Sequence, residues 1–193
     1  KFGSTGAVSL TVKSIDMGDI PITTVEAMDG TGSTFTPNMT TMALTYANAF
    51  SDKARFGISV KSITESIPRA SASAVALDAG VQYENLNDIE GLGIALALKN
   101  IGTDMHYEGS GLTTMASEDN LEDFYNVESS YDKLPSTFDM AVSYKVAGAT
   151  LAATYTSHNF RYDDLALGAE YELMNMVYLR GGMSLPQLED DSS

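Results

Sequence analysis

The chain has 193 residues, with 11 Lys and Arg against 26 Asp and Glu, a formal net charge of −15 and no cysteine. So acidic a balance argues against nucleic acid as a partner, because phosphate recognition needs a basic face. Without cysteine there is neither a disulfide framework nor a thiolate zinc site, and no apolar run approaches the roughly 18 residues of a membrane-spanning helix.

Taken in chain order, the sequence alternates apolar and small or polar residues with period two, the signature of strands with one apolar face. Val8, Leu10 and Val12 alternate with Ser9, Thr11 and Lys13. Met42, Leu44, Tyr46 and Phe50 alternate with Thr41, Ala43, Thr45, Ala47 and Ala49, Asn48 being the one break. Phe56, Ile58 and Val60 oppose Arg55, Gly57, Ser59 and Lys61, and Val75, Leu77, Val81 and Tyr83 oppose Ala74, Ala76, Asp78, Gly80 and Gln82. In "GLGIALALKN" (91–100), Leu92, Ile94, Leu96 and Leu98 oppose Gly91, Gly93, Ala95, Ala97 and Lys99. The same pattern recurs over 138–146, 150–156, 165–173 and 177–185. About nine strands and no convincing amphipathic helix follow, hence an all-β chain built as an antiparallel meander.

The connections alternate as well. Long acidic or Gly-rich segments at 17–38, 102–136 and 157–163, with a shorter one at 67–71 around Pro68, are interleaved with tight links at 51–53, 85–90, 147–148 and 174–175. Short turns at one end and long loops at the other are the layout of an outer-membrane barrel. A Greek-key sandwich has no reason to keep it.

The less apolar face is mostly Gly, Ala, Ser and Thr, with charges of both signs. Gly and Ala are poor choices for the solvated face of a water-soluble sheet, where they pack little and cost backbone entropy. They suit a crowded barrel lumen, which turns the leucine face toward lipid. Tyr46, Phe50, Phe56, Tyr83, Tyr144 and Tyr171 lie near the short turns, and Phe138, Tyr155, Phe160 and Tyr162 near the longer loops. Two aromatic belts are what a membrane barrel places at its lipid–water boundaries. The opposing reading puts the same aromatics on the core of a soluble sandwich. Nine strands do not close a bacterial single-chain barrel, which has an even number, and the chain starts at Lys1 with no signal pattern. An internal segment (1–193) of a larger barrel domain is therefore expected.

The runs "ALTYANAFSDKARFGISVKSITESI" (43–67), "ASAVALDAGVQYE" (72–84), "GLGIALALKNIGTDMHYEG" (91–109), "LPSTFDMAVSYKV" (134–146) and "LALGAEYELMNMVYLRGGM" (165–183) occur in this order. As an ordered set they resemble the PorV/PorQ family, outer-membrane β-barrels related in architecture to the FadL long-chain fatty-acid transporters. The resemblance implies about 14 strands in the complete barrel, with the N-terminal plug region and the last strands not in this chain. The acidic tail Glu189-Asp190-Asp191 would precede the missing strands. It further implies a location in the outer membrane of a Gram-negative-type bacterium, contact with outer-membrane lipid, and protein partners. Those partners would be cargo or the secretion and surface-attachment components of a type IX system. Two other roles stay open: a FadL-like transporter of hydrophobic small molecules, and a soluble extracellular filament or adhesin subunit.

Catalytic chemistry has little to stand on, and no cofactor is expected. His106 and His158 lie in different loops without a nucleophile motif, and Asp104 with His106 makes only two isolated metal ligands. "DGTGSTFTP" (29–37) does not join a strand to a helix, so it fails as a phosphate loop. Two surfaces remain. Lys61, Asp78, Lys99, Asp139, Lys145 and Arg180 are candidate lumen-facing charges, expected to pair with one another or to line a path. Segment 102–136 carries eight carboxylates against Lys133, a net charge of −7, and is a candidate partner-contact loop through Glu118, Asp119, Glu122, Asp123, Phe124 and Tyr125. A divalent-cation bridge to surface lipids is the other role such a loop can have.

Overall fold

The computed structural model describes residues 6–118, 121–173 and 176–186. Nine long strands run in sequence order: β1 (Ala7–Asp16), β2 (Asn38–Ala49), β3 (Ala54–Ile67), β4 (Ala70–Glu84), β5 (Leu92–Gly102), β6 (Thr137–Val146), β7 (Ala149–His158), β8 (Asp164–Leu173) and β9 (Val177–Pro186). Each pairs antiparallel with the next, so the fold is an all-β meander. Each expected alternating run lies in one of these strands, except that Phe50 and Gly91 fall just beyond the ends of β2 and β5, because a period of two is a local property that the pleat converts directly into two faces.

The sheet is open. β1 pairs only with β2 and β9 only with β8, so among the described residues each presents an unpaired edge. The short turns 50–53, 85–91 and 147–148 lie at one end, and the segments 17–37, 103–136 and 159–163 at the other. Ala147 and Gly148, at φ 49° and 79°, make a tight turn in which both central residues are left-handed. The connection around Pro68, expected to be of medium length, is equally tight. Ile67 pairs with Ala70, and only Pro68 and Arg69 (φ 67°) lie between them. Proline presets the first turn position, and the hairpin of β3 and β4, at 14 and 15 residues, outreaches its neighbours, which have 10 to 12.

The two faces differ sharply. On one, Leu10, Leu44, Val60, Leu77, Leu96, Met140, Leu151, Leu167 and Met183 form rows across the strands, with Leu96 40% and Leu98 46% exposed. No second layer covers them among the described residues. On the other face lie the alanines, glycines, serines and threonines, and this is where the small buried core sits. Ala72, Ala74 and Ala76 of β4 are buried under Met105 (7% exposed) and Leu134 (5%), with Ile63 and Tyr107 packed against them. Among the described residues, the leucines of "GLGIALALKN" therefore do not face a protein core.

Segment 17–37 is folded on itself. Ile20–Pro21 pairs with Thr34–Phe35, and Thr31 N–H donates to Ile22 O at 2.8 Å. Segment 103–136 is also structured. Met105–Glu108 pairs with the far end of β4 (Ser71 with Glu108, Ala72 with Tyr107) and with Tyr131–Asp132, and Thr113–Glu118 forms a hairpin with Leu121–Asn126.

Candidate functional site

The small-residue face holds most of its charges in pairs. Strand alternation sends Lys61 and Asp78 to this side of adjacent strands, diagonally related, with Nζ 2.6 Å from Oδ1. Lys99 Nζ lies 2.6 Å from Asp139 Oδ2 across β5 and β6 by the same diagonal geometry. Arg180 and Glu170 are direct cross-strand partners and form an ion pair through Nε. At the short-turn end Arg55 meets Glu84 at 2.6 Å, and Lys53 meets Asp88 of the neighbouring turn at 2.5 Å. Lys145 makes no ion pair among the described residues, but its charge reaches Glu84. Of the six candidate charges, then, Lys61 with Asp78 and Lys99 with Asp139 pair within the set, while Arg180 takes Glu170. Opposite charges on facing positions of neighbouring strands attract, whereas like charges there repel.

The centre of this face is a residue that composition and alternation did not single out. Asn100 sits at φ 57° in a bulge of β5, where the pairing shifts between Leu77 and Ala79 of β4. Asparagine tolerates the left-handed region that a bulge demands, and an Asn near the end of an alternating run is the one sequence signal that pointed here. Its backbone N–H donates to Asp78 Oδ1 at 2.8 Å, and its side-chain oxygen accepts from Lys61 Nζ. Its Nδ2 donates to Pro135 O at 2.8 Å, and its own carbonyl accepts Ser136 Oγ–H at 2.8 Å. One residue thus joins the ion pair of β3 and β4 to the end of segment 103–136.

From that junction the segment is strapped over the alanines. Leu134 and Met105 supply the apolar contact. Tyr107 donates its hydroxyl to Glu65, and this bond, with burial in second place, pushes the phenol up to about 12. Arg69 Nη2 donates to Ser110 O at 3.0 Å, while Gly111 N–H donates to Arg69 O at 2.8 Å. The approach is close at Gly109 (φ 144°), where an added Cβ would lie 2.2 Å from Arg69 O. Neither Tyr107 nor Glu65 was expected to matter, because their contact spans 42 residues and leaves no local pattern.

The candidate contact residues sit on the hairpin of Thr113–Glu118 and Leu121–Asn126. Asp119 lies outside the described residues, and Glu118, Glu122 and Asp123 are placed by the backbone alone. Phe124 and Tyr125 are exposed. His106 is stacked on Tyr131, ring centroids 4.5 Å apart, with Nδ1 3.1 Å from Ser129 Oγ. Asp104 and His106 gain no third ligand: no cluster of three or more His, Cys, Asp or Glu suited to a metal occurs among the described residues.

Comparison with family models, with curated proteins and with solved structures finds no match to this chain.

Proposed function

We propose that this chain is a segment of an outer-membrane β-barrel of a Gram-negative-type bacterium, non-enzymatic, working in the export or surface attachment of proteins. The observation that carries the membrane reading is the bare apolar face. Some two dozen large apolar side chains lie on it about half exposed. Leaving them in water forgoes roughly 1 kcal/mol apiece, more in sum than the about 5–15 kcal/mol by which a domain is stable. Lipid removes that cost. The strand lengths support the same setting, since about 9–11 tilted residues cross a bilayer. In lipid an unpaired backbone edge costs several kcal/mol for each orphan group, so β1 and β9 take further strands there.

The export role rests on the resemblance to the PorV/PorQ family, whose order of motifs this chain follows. Two features of the structure support it over passage of small molecules: charges on the inner face that are mostly paired, and a strap that covers part of that face. The partner surface in this reading is the acidic hairpin with Phe124 and Tyr125, and the partners are cargo or surface-attachment proteins.

The absence of native cysteine supplies the test. Leu96→Cys and Ala97→Cys, each carrying a fluorophore, are compared in the native membrane with a lipid-dissolved quencher. Quenching at 96 and not at 97 is expected. If neither is quenched and the protein stays dissolved without detergent, the membrane reading fails and the soluble surface-subunit reading replaces it. If 96 is quenched but the protein admits a fluorescent fatty acid into vesicles, the FadL-like reading replaces export.

A further inference from the structure

Arg69 occupies a backbone position that favours glycine. It follows Pro68 in the tight turn between β3 and β4, at φ 67°. A Pro-led turn of this kind takes glycine or asparagine there at little cost, whereas an arginine is strained. What the arginine gains is a grip on another segment. Its carbonyl accepts the Gly111 N–H at 2.8 Å, its Nη2 donates to Ser110 O at 3.0 Å, and its Nε lies 3.4 Å from Ser110 Oγ. One turn residue thus holds one turn of 3₁₀ helix, Ser110–Leu112, by main chain and side chain together. The glycines on either side of Ser110 permit the approach: a Cβ on Gly109 would lie 2.2 Å from Arg69 O, and one on Gly111 3.2 Å from the same atom.

That helical turn is one leg of the acidic hairpin. Thr113–Glu118 begins at the next residue, and after Leu121–Asn126 returns, Val127 N–H donates to Leu112 O at 2.8 Å. The other leg is held at Ser129, whose Oγ accepts the Tyr107 N–H at 3.0 Å and donates to Tyr107 O at 3.1 Å. A cleft of about 600 Å³ is lined from both legs, by Ser110 and Leu112 on one side and Glu128 and Ser129 on the other. Side chains do not fill the space between the legs, so the angle of the hairpin rests on the bonds that hold them.

Charge alone does not account for the grip. Among the described residues Arg69 forms no ion pair, and its guanidinium is spent on a carbonyl and a hydroxyl. A planar fork reaches two acceptors of one residue at once, which a lysine ammonium on a flexible stem does not reproduce. We propose that Arg69 is the positioning residue of the acidic hairpin: from the β3–β4 turn it fixes the Ser110–Leu112 leg and so sets the direction in which Phe124 and Tyr125 are presented. That these two residues meet a partner rests on the function proposed above; that Arg69 holds the leg does not.

The test uses the full chain folded in detergent, with spin labels at Ser66→Cys on the end of β3 and Tyr125→Cys on the hairpin. With Arg69 in place, a narrow distance distribution is expected. Arg69→Gly removes the fork while suiting the left-handed backbone. Its unfolding midpoint should hold or rise while the distribution broadens and amide exchange over 109–112 increases about tenfold, the scale of losing a hydrogen bond. Arg69→Lys, which keeps the charge and loses the fork, should broaden the distribution nearly as much. The proposal is overturned if the chain with Arg69 already shows a broad distribution, if Arg69→Gly changes neither distance nor exchange, or if Arg69→Lys keeps the native values. A midpoint that falls in step with the loosening overturns it too, since the hairpin would then only follow the fold. Quenching at 96 and 97 does not sense residue 69, so the membrane reading stands or fails separately.

Discussion

Lys61 and Asp78 share one point in space with the backbone of a third strand: Asp78 Oδ1 takes the Lys61 ammonium at 2.6 Å and the Asn100 N–H at 2.8 Å. The ion pair is therefore also the anchor of a bulge, and through the bulge it is an anchor of the strap.

Removing one partner leaves the other partly buried and unpaired. Lys61→Met is expected to destabilise the protein by about 1–3 kcal/mol, because the orphaned carboxylate keeps its desolvation cost. Lys61→Met combined with Asp78→Asn should recover most of that loss. Guanidinium unfolding in detergent measures both beside Asp78→Asn alone, and a double loss equal to the sum of the two single losses would mean the two side chains are not coupled.

Asn100 combines a backbone role with a side-chain role, and two substitutions separate them. Asn100→Gly keeps the positive φ and loses the bonds to Lys61 and Pro135, at a cost of about 1 kcal/mol. Asn100→Ala loses both and should cost about 1–2 kcal/mol more, from the strained left-handed backbone. If alanine proves no worse than glycine, the bulge conformation is not what the asparagine serves.

Tyr107 gives the strap a dependence on alkaline pH. Its folded value is raised, so the bond to Glu65 contributes fully below the ordinary phenol value of about 10 and is lost as pH rises through about 12. Against Tyr107→Phe the wild type should be more stable by about 1 kcal/mol at pH 9, and that margin should vanish near pH 12. Unfolding midpoints across this range, read beside phenolate absorbance, check it. A margin that persists at pH 12 would show that the hydroxyl's proton is not the contact.

What was legible in the sequence is what the pleat writes locally. Leu96 beside Ala97, or Ile58 beside Ser59, already assigns opposite faces, and an acidic loop next to Lys145–Val146–Ala147–Gly148 already separates a long connection from a tight one. Even the charge pairs were half visible, since Lys61 and Asp78 were placed on one face before any register was known. The partner of Arg180 was not named, because which cross-strand position it meets depends on how β8 and β9 register.

The contacts of the strap were not legible, even though Pro135 and the aromatics of segment 102–136 marked it as a loop that could fold over the barrel mouth. Met105 packs on alanines some thirty positions earlier, Tyr107 reaches Glu65, and Asn159 holds Leu134. None of these contacts has a period, because each is made where a long connection returns to a sheet already formed, and closing such loops depends on geometry far from the residues that meet. The sequence by itself determined strands, faces and the sign of each surface, since those follow from one residue's relation to its neighbours. Only the tertiary structure decided which small residues become the core, where the bulge falls, and which turn residue grips the base of the acidic hairpin.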